Sequence, residues 1–340
     1  MNVKQWAARI TVGVCAGMLS VSASAQTAAQ NRTETKALEP VTYLLPAPHT
    51  LPAFGPWMIA KHQGYFEEEG LDVTFITGKG GVDVAKQVGA GNAVIGGALG
   101  DTPIIVRANG VPIKAVAILG AGSLIFVASH ADAPITEPAQ LKGKVISVNA
   151  YSTTAYYTLL ATMQKAGLTR NDADIQAAGV SGAWQMFVRG KSQAIAAAPD
   201  LIAPAEFNGA KLHWMEPARG FPNMAQSIVA SDTAIASQPE TLGKLVRATL
   251  RGMKLIMDDL DAAVDIYVAA VPVHAGKEWQ VRRIFELYRQ YVYANQATPG
   301  LIDAQRLADN QAFYLAAGIV DKAVPLNDLY TNQFVLQAKP

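Results

Sequence analysis

The sequence predicts an α/β protein with two halves, each a mixed, mostly parallel sheet flanked by helices, followed by a helical tail. Short apolar or β-branched runs alternate with helical segments from Val41 onward, the pattern of strand–helix–strand units. The alternation restarts after Ser129 and breaks off near Ala230. From Pro239 to Pro340 nearly every segment carries the helical period instead.

The first half opens with a strand over Val41–Leu45, closed by Pro46 and Pro48, which cannot donate to a sheet ladder. A helix over Ala53–Gln63 is stopped by Gly64, suited to a left-handed cap. Strands follow over Asp72–Ile76, Ala93–Ile95, Ile113–Leu119 and Leu124–Ser129, with helices at Val82–Ala90 and after Thr102. The second half has strands at Lys144–Val148, Ala173–Ala177 and Ala194–Ala198, and helices at Ala155–Ala166 and Ala183–Arg189. The strand Ser227–Ala230 precedes tail helices at Glu240–Asp258, Leu260–Val271, Glu278–Tyr293 and Gln305–Ala317. In open α/β sheets ligands gather where strands end and helices begin. The turns after Leu45, Ile76, Ile95 and Val148 are of that kind.

Composition narrows the function. Hydrophobic residues make up 50% and charged residues 16% of the 340, with net charge +1. This is a globular balance with no electrostatic case for nucleic acid. Lys4 and Arg9, an apolar stretch over Ile10–Val21 and Ala23-Ser24-Ala25 have the form of a secretory signal peptide over 1–25, too short to span a bilayer comfortably. The only cysteine, Cys15, lies inside it, without the leucine of a lipoprotein box before it. The expected mature chain thus has no thiol chemistry, and residues 26–39 read as a flexible leader.

Gly64-Tyr-Phe-Glu-Glu-Glu-Gly-Leu-Asp-Val73 resembles a characteristic segment of periplasmic solute-binding proteins for nitrate, sulfonate, taurine and thiamine-pyrimidine precursors. Lys142-Gly-Lys-Val145, Lys165-Ala-Gly-Leu168, the run from Val188 to Pro199, Ser231-Asp232 and Pro239-Glu240 resemble further segments of that family, in order, across roughly residues 40–320. Two positions depart from its pattern: Gln193-Ala194 and Val94-Ile95-Gly96 lack the aspartate common there. The resemblance implies a type II periplasmic-binding-protein fold, with lobe one over 40–125 and 225–340 and lobe two over 126–224. Crossovers are expected near Ile125–Ser129 and Met224–Ala230, with ligand held between the lobes by hinge closure. It further implies an extracytoplasmic receptor of an ABC importer, periplasmic and monomeric, that delivers a small-molecule ligand to an inner-membrane permease. No cofactor, metal or nucleic acid is expected, and no chemistry on the ligand. The runners-up are an exported enzyme of pyrimidine metabolism on the same fold and a ligand-sensing partner of a membrane receptor. Related thiamine-pyrimidine synthases carry a cysteine cluster, which this chain lacks beyond Cys15.

Candidate ligand residues follow from the turns. Asn149-Ala-Tyr-Ser-Thr-Thr154 joins a strand to a helix, where free N–H groups and the helix dipole favour an anion. Asn149, Tyr151, Ser152 and Thr153 are therefore candidates, the bland alternative being that one hydroxyl caps the helix. His49 is either a ligand donor or a solvated loop residue. Lys79 and Gly80 either approach an anion or form an ordinary flexible turn. Leu99, Asp101 and Thr102 lie in a small-residue turn, with Asp101 as helix cap or ligand contact. Ser181 and Asp200 complete the set, with Trp184 beside them, and Trp57 reads as core. The five histidines show no i, i+4 pair, and Gly190-Lys191-Ser192 lacks the first glycine of a P-loop. The Asp258, Asp259 and Asp261 cluster reads as a solvated helix junction. Hydroxyls and small residues with one cation, Lys79, suit an organic carboxylate or sulfonate, or nitrate, better than a multiply charged phosphate.

Overall fold

The strands of the protein are β1 (Glu39–Leu45), β2 (Leu71–Thr77), β3 (Ile95–Leu99), β4 (Ile113–Ile118), β5 (Phe126–His130), β6 (Val145–Val148), β7 (Asp174–Ala177), β8 (Ala194–Ala197), β9 (Leu212–Trp214) and β10 (Gln226–Ser231). They come from a computed structural model that describes residues 37–217 and 219–337. The expected signal peptide with Cys15, and the leader as far as residue 36, lie outside the described residues. Two five-stranded sheets form, in the orders β2-β1-β3-β10-β4 and β7-β6-β8-β5-β9. The central β3 is buried throughout, whereas β2 at the edge alternates buried and exposed, as strands covered on two faces and on one face should.

Each sheet contains one strand that opposes the other four. In the first it is β10, antiparallel to β3 and β4; in the second it is β5, antiparallel to β8 and β9. The inversion has a geometric cause. The chain leaves the carboxyl end of β4 and, after residues 119–125, becomes β5. A strand that enters a neighbouring sheet over its carboxyl edge must run against that sheet's parallel members. The return through residues 215–225 into β10 repeats the manoeuvre. The carboxyl edges of the two sheets therefore face one another. The expected crossovers at Ile125–Ser129 and Met224–Ala230 coincide with these inverted strands.

A buried polar unit fixes both connections. The Asn223 side chain, fully buried, accepts from the backbone N–H groups of Leu124 at 2.9 Å and Ile125 at 3.0 Å, and donates to the Ile125 carbonyl at 2.9 Å. Arg306, in the helix Ala304–Ala316, donates to the carbonyls of Ala121, Gly122 and Asn223 and to the Ser123 hydroxyl. The outgoing connection also lies against the wide π turn Arg289–Tyr293, where Gly122 N–H donates to the Val292 carbonyl at 2.9 Å. A β-carbon at Gly122 would stand 1.8 Å from the Tyr291 carbonyl oxygen, and one at Gly120, whose φ is +127°, 1.9 Å from that of Val292. No side chain fits either place.

Several elements differ from the sequence expectation. β3 runs through Gly96 and Gly97 to Leu99 because it pairs with both β1 and β10, and central pairing outweighs glycine's weak strand preference. The turn expected before Thr102 is correspondingly shorter. A helix Pro199–Phe207 follows β8 where none was expected: Pro199 suits its first position, and Pro204 removes one internal bond without ending it. The helix Gly179–Val188 starts earlier than expected. The tail helix expected to reach Tyr293 is α-helical only from Glu278 to Tyr288. β9 is a three-residue edge strand, too short to show a period. Among the described residues no helix is long and apolar enough to cross a membrane.

Asp101 is fully buried at the end of β3, accepting from Tyr314 Oη at 2.9 Å, with its other oxygen unpartnered. Burial raises its pKa to about 6, opposed by the Tyr314 hydrogen bond and the charge of Arg306.

Two predictions concern stability. Asn223→Ala strands two N–H groups and a carbonyl in the interior and should cost about 2–4 kcal/mol in urea unfolding. Gly122→Ala should cost about 2 kcal/mol or more by forcing backbone apart. The native state prefers protonated Asp101, so that preference contributes stability fully below the unfolded pKa of 3.8 and is lost as pH rises through about 6. Asp101→Asn should therefore gain stability relative to the wild type across that window. A mutant-minus-wild-type difference independent of pH would refute the assignment.

Candidate functional site

The facing carboxyl edges enclose a cavity of about 760 Å³, its mouth included. Pro46, Ala47, Leu51, Phe54 and Trp57 supply one wall, from the turn after β1 and the helix behind it. Gly97, Ala98 and Leu99 of β3 and the first residues of the helix Gly81–Gly89 form the floor beside it. The opposite wall comes from Asn149 and Thr153–Ala155 after β6, and from Ala197–Ala198, Asp200 and Leu201 after β8. Leu124 and Ile125 of the outgoing connection close the back, with Gln226 and Tyr288. Most are at or next to strand ends or helix starts, as chain topology requires, while Tyr288 ends the helix Glu278–Tyr288.

The lining is mostly apolar. Among the described residues no lysine, arginine or histidine lines the cavity. Helices start at it without a side-chain cap, among them Gly81–Gly89, preceded by Gly80, Thr154–Gln164, preceded by Thr153, and Pro199–Phe207, preceded by Ala198. The Thr153 hydroxyl donates to the Ala150 carbonyl at 2.8 Å instead of capping the helix. The first two of these starts approach each other, since a β-carbon on Gly80 would lie 3.5 Å from the Ser152 carbonyl oxygen and one on Gly81 3.4 Å from Thr154 Oγ1. Any positive field in the cavity is that of uncapped helix N-termini.

One carboxyl group faces it. Asp200, in the first turn of Pro199–Phe207, is 4% exposed and accepts from Tyr288 Oη at 2.8 Å. Burial pushes its pKa up to about 6, with the Tyr288 hydrogen bond pulling the other way. Burial, then the charge of Asp200, pushes the Tyr288 hydroxyl well above its ordinary value, so it stays a donor. Gln226 is committed elsewhere: its amide donates to the Ala53 carbonyl at 2.6 Å and its oxygen accepts from Tyr293 at 3.3 Å. Contacts also cross the cleft between protein groups. Thr102 Oγ1 and Thr154 Oγ1 share a hydrogen bond at 3.1 Å, and Arg283 pairs with Glu206 at 3.4 Å.

Of the residues singled out in the sequence, Asn149, Thr153, Gly80, Leu99 and Asp200 line the cavity. The others lie outside its lining. Tyr151 is 46% exposed and donates to the Ile175 carbonyl at 2.9 Å. Ser152, His49, Lys79 and Ser181 are exposed. Asp101 is held by Tyr314 beneath the floor, and Thr102 accepts from Leu99 N–H at 3.1 Å while joining Thr154. Trp57, read as core, is buried and also walls the cavity. Tyr288 and Gln226 were not found from sequence because they arrive from the tail and the return strand. The one available signal was the aromatic spacing of Tyr288, Tyr291 and Tyr293.

The sequence profile described as NMT1/THI5 like matches residues 51–263. The chain belongs to the NMT1/THI5-like family. Among curated relatives, the riboflavin-binding protein RibY of Chloroflexus aurantiacus is 24% identical over 289 residues, spanning 83% of this chain and 82% of that one. A 4-amino-5-hydroxymethyl-2-methylpyrimidine phosphate synthase of Aspergillus parasiticus is 24% identical over 308 residues, 84% of this chain and 85% of its own. Among solved structures, the alkanesulfonate-binding protein SsuA of Xanthomonas axonopodis pv. citri bound to MOPS superposes with a TM-score of 0.68 at 16% identity, over 87% of this chain and 98% of that one. The last likeness establishes the fold.

Thr102→Val removes the acceptor for a buried N–H and the partner of Thr154. Urea unfolding should show a loss of about 1–3 kcal/mol.

Proposed function

We propose that this NMT1/THI5-like chain is the extracytoplasmic substrate-binding protein of an ABC importer. It captures a small organic anion, of sulfonate, carboxylate or nitrate type, and hands it unchanged to an inner-membrane permease. The observation that carries this reading is the cavity itself, walled by the carboxyl edges of two sheets that only two connections join. Residues 40–125 with 225–340 act as one lobe and 126–224 as the other, closing about the inverted strands. The binding set proposed from the sequence narrows to Asn149, Thr153, Gly80, Leu99 and Asp200, joined by the apolar walls. An acidic group would meet the uncapped starts of Gly81–Gly89 and Thr154–Gln164, and its apolar body Phe54, Trp57 and Leu201. Export through the expected signal peptide over 1–25 places the protein in the periplasm, where it works as a monomer. Likeness to sulfonate- and riboflavin-binding proteins supports binding over catalysis, as does the absence of cysteine after Cys15.

Thermal unfolding of residues 26–340 with alkyl and aryl sulfonates, aromatic carboxylates, nitrate and riboflavin tests the reading. A ligand at about 100 times its Kd should add about 2.7 kcal/mol of stability. No stabilisation by any of them would sink it.

A further inference from the structure

We infer that Asp200 is the specificity-determining residue of the cleft, and that the ligand carries an N–H donor that this carboxylate accepts. The inference rests on the binding-protein reading and names the chemistry of one end of its ligand. Asp200 is 96% buried, yet it lines the cavity. Among the described residues no side chain other than Tyr288 is hydrogen-bonded to its carboxylate. The carboxylate accepts from the Tyr288 hydroxyl and from its own backbone N–H and faces no cation, whereas its two oxygens have room for about four hydrogen bonds. Gln226, the other buried polar side chain at the back, already spends its amide on Ala53 and its oxygen on Tyr293. The remaining acceptor capacity of Asp200 is open to a donor on the ligand.

Other parts of the lining have the complementary need. The uncapped helix starts at Gly81 and Thr154 present donors and positive dipole ends. Leu51, Phe54, Trp57, Leu124 and Leu201 supply apolar lining. The arrangement fits an amphoteric molecule: an acidic or acceptor group at the helix starts, an apolar body, and an amine, ammonium or amide N–H on Asp200. Donor-free anions of the same size would bury the carboxylate beside them with no donor beyond those the protein supplies, a cost that discriminates between otherwise similar ligands.

The test uses pairs that share an anionic group and differ in the donor: 4-aminobenzoate against benzoate, and taurine against ethanesulfonate. Binding to residues 26–340 is measured by calorimetric titration at pH 7.5. In at least one pair the donor-bearing member should bind about tenfold tighter or more. That preference should fall to about twofold in Asp200→Asn, which is nearly isosteric, and persist in Tyr288→Phe, whose thermal unfolding controls for folding. Equal binding of both members, or a preference that survives in Asp200→Asn, overturns the inference while leaving the binding-protein reading intact. No binding by any of the four, together with no stabilisation in the thermal panel, overturns both.

Discussion

The architecture depends on one buried hydrogen-bonding centre, the Asn223 carboxamide. It holds Leu124 and Ile125 on the outgoing connection while itself lying on the return connection. Both passages between the sheets are thereby locked at one point, with Arg306 gathering the neighbouring carbonyls. A carboxamide suits this place because it offers acceptor and donor on one planar group, and neither aspartate nor leucine could satisfy the same three backbone groups. Burial lowers the pKa of Arg306, opposed by the charges of Asp101 and Asp303. The centre therefore combines a cation, a carboxyl and an amide in a region with little solvent to compensate an error.

From that centre the rest of the site follows. Two inverted strands set the carboxyl edges face to face, and facing edges bring helix starts from both sides into one cavity. Among the described residues no basic side chain lines the cavity, and its electrostatics come from oriented backbone and from Asp200. Such a field is weaker than that of a lysine or arginine but fixed in direction. It suits recognition of shape and hydrogen-bonding pattern more than of charge alone.

Much of the fold was legible in the sequence because it is written in short-range signals. Strand–helix alternation, glycine stops at Gly64 and Gly190 and the amphipathic tail all act within a few residues. The turn at Asn149–Thr154 was legible as a candidate for the same reason, and Asn149 and Thr153 line the cavity. What failed was direction. Whether Tyr151 or Thr153 turns inward depends on packing against Ile175 and Ala150, and no local pattern encodes that. Lys79 was chosen for its charge, but its neighbour Gly80 reaches the cavity while Lys79 remains exposed. Tyr288 lies 88 residues from Asp200 along the chain, so their pairing could be seen only in the folded protein. The helix after β8 carries Pro204 in its interior, which tertiary packing tolerates but a local helical pattern does not announce.

The contacts that span the cleft between protein groups alone carry a further consequence. Thr102 with Thr154, and Arg283 with Glu206, hold the two sides together without reference to what lies between them. If the cleft closes as proposed, their strength sets the fraction of molecules in which the walls already meet, and that fraction multiplies the affinity for every ligand by the same factor. Under the proposed function, retention and discrimination are then separable. A lineage could lengthen or shorten the dwell time of a ligand by altering Glu206 or Arg283 at the rim, and leave untouched the choice of which ligand it takes.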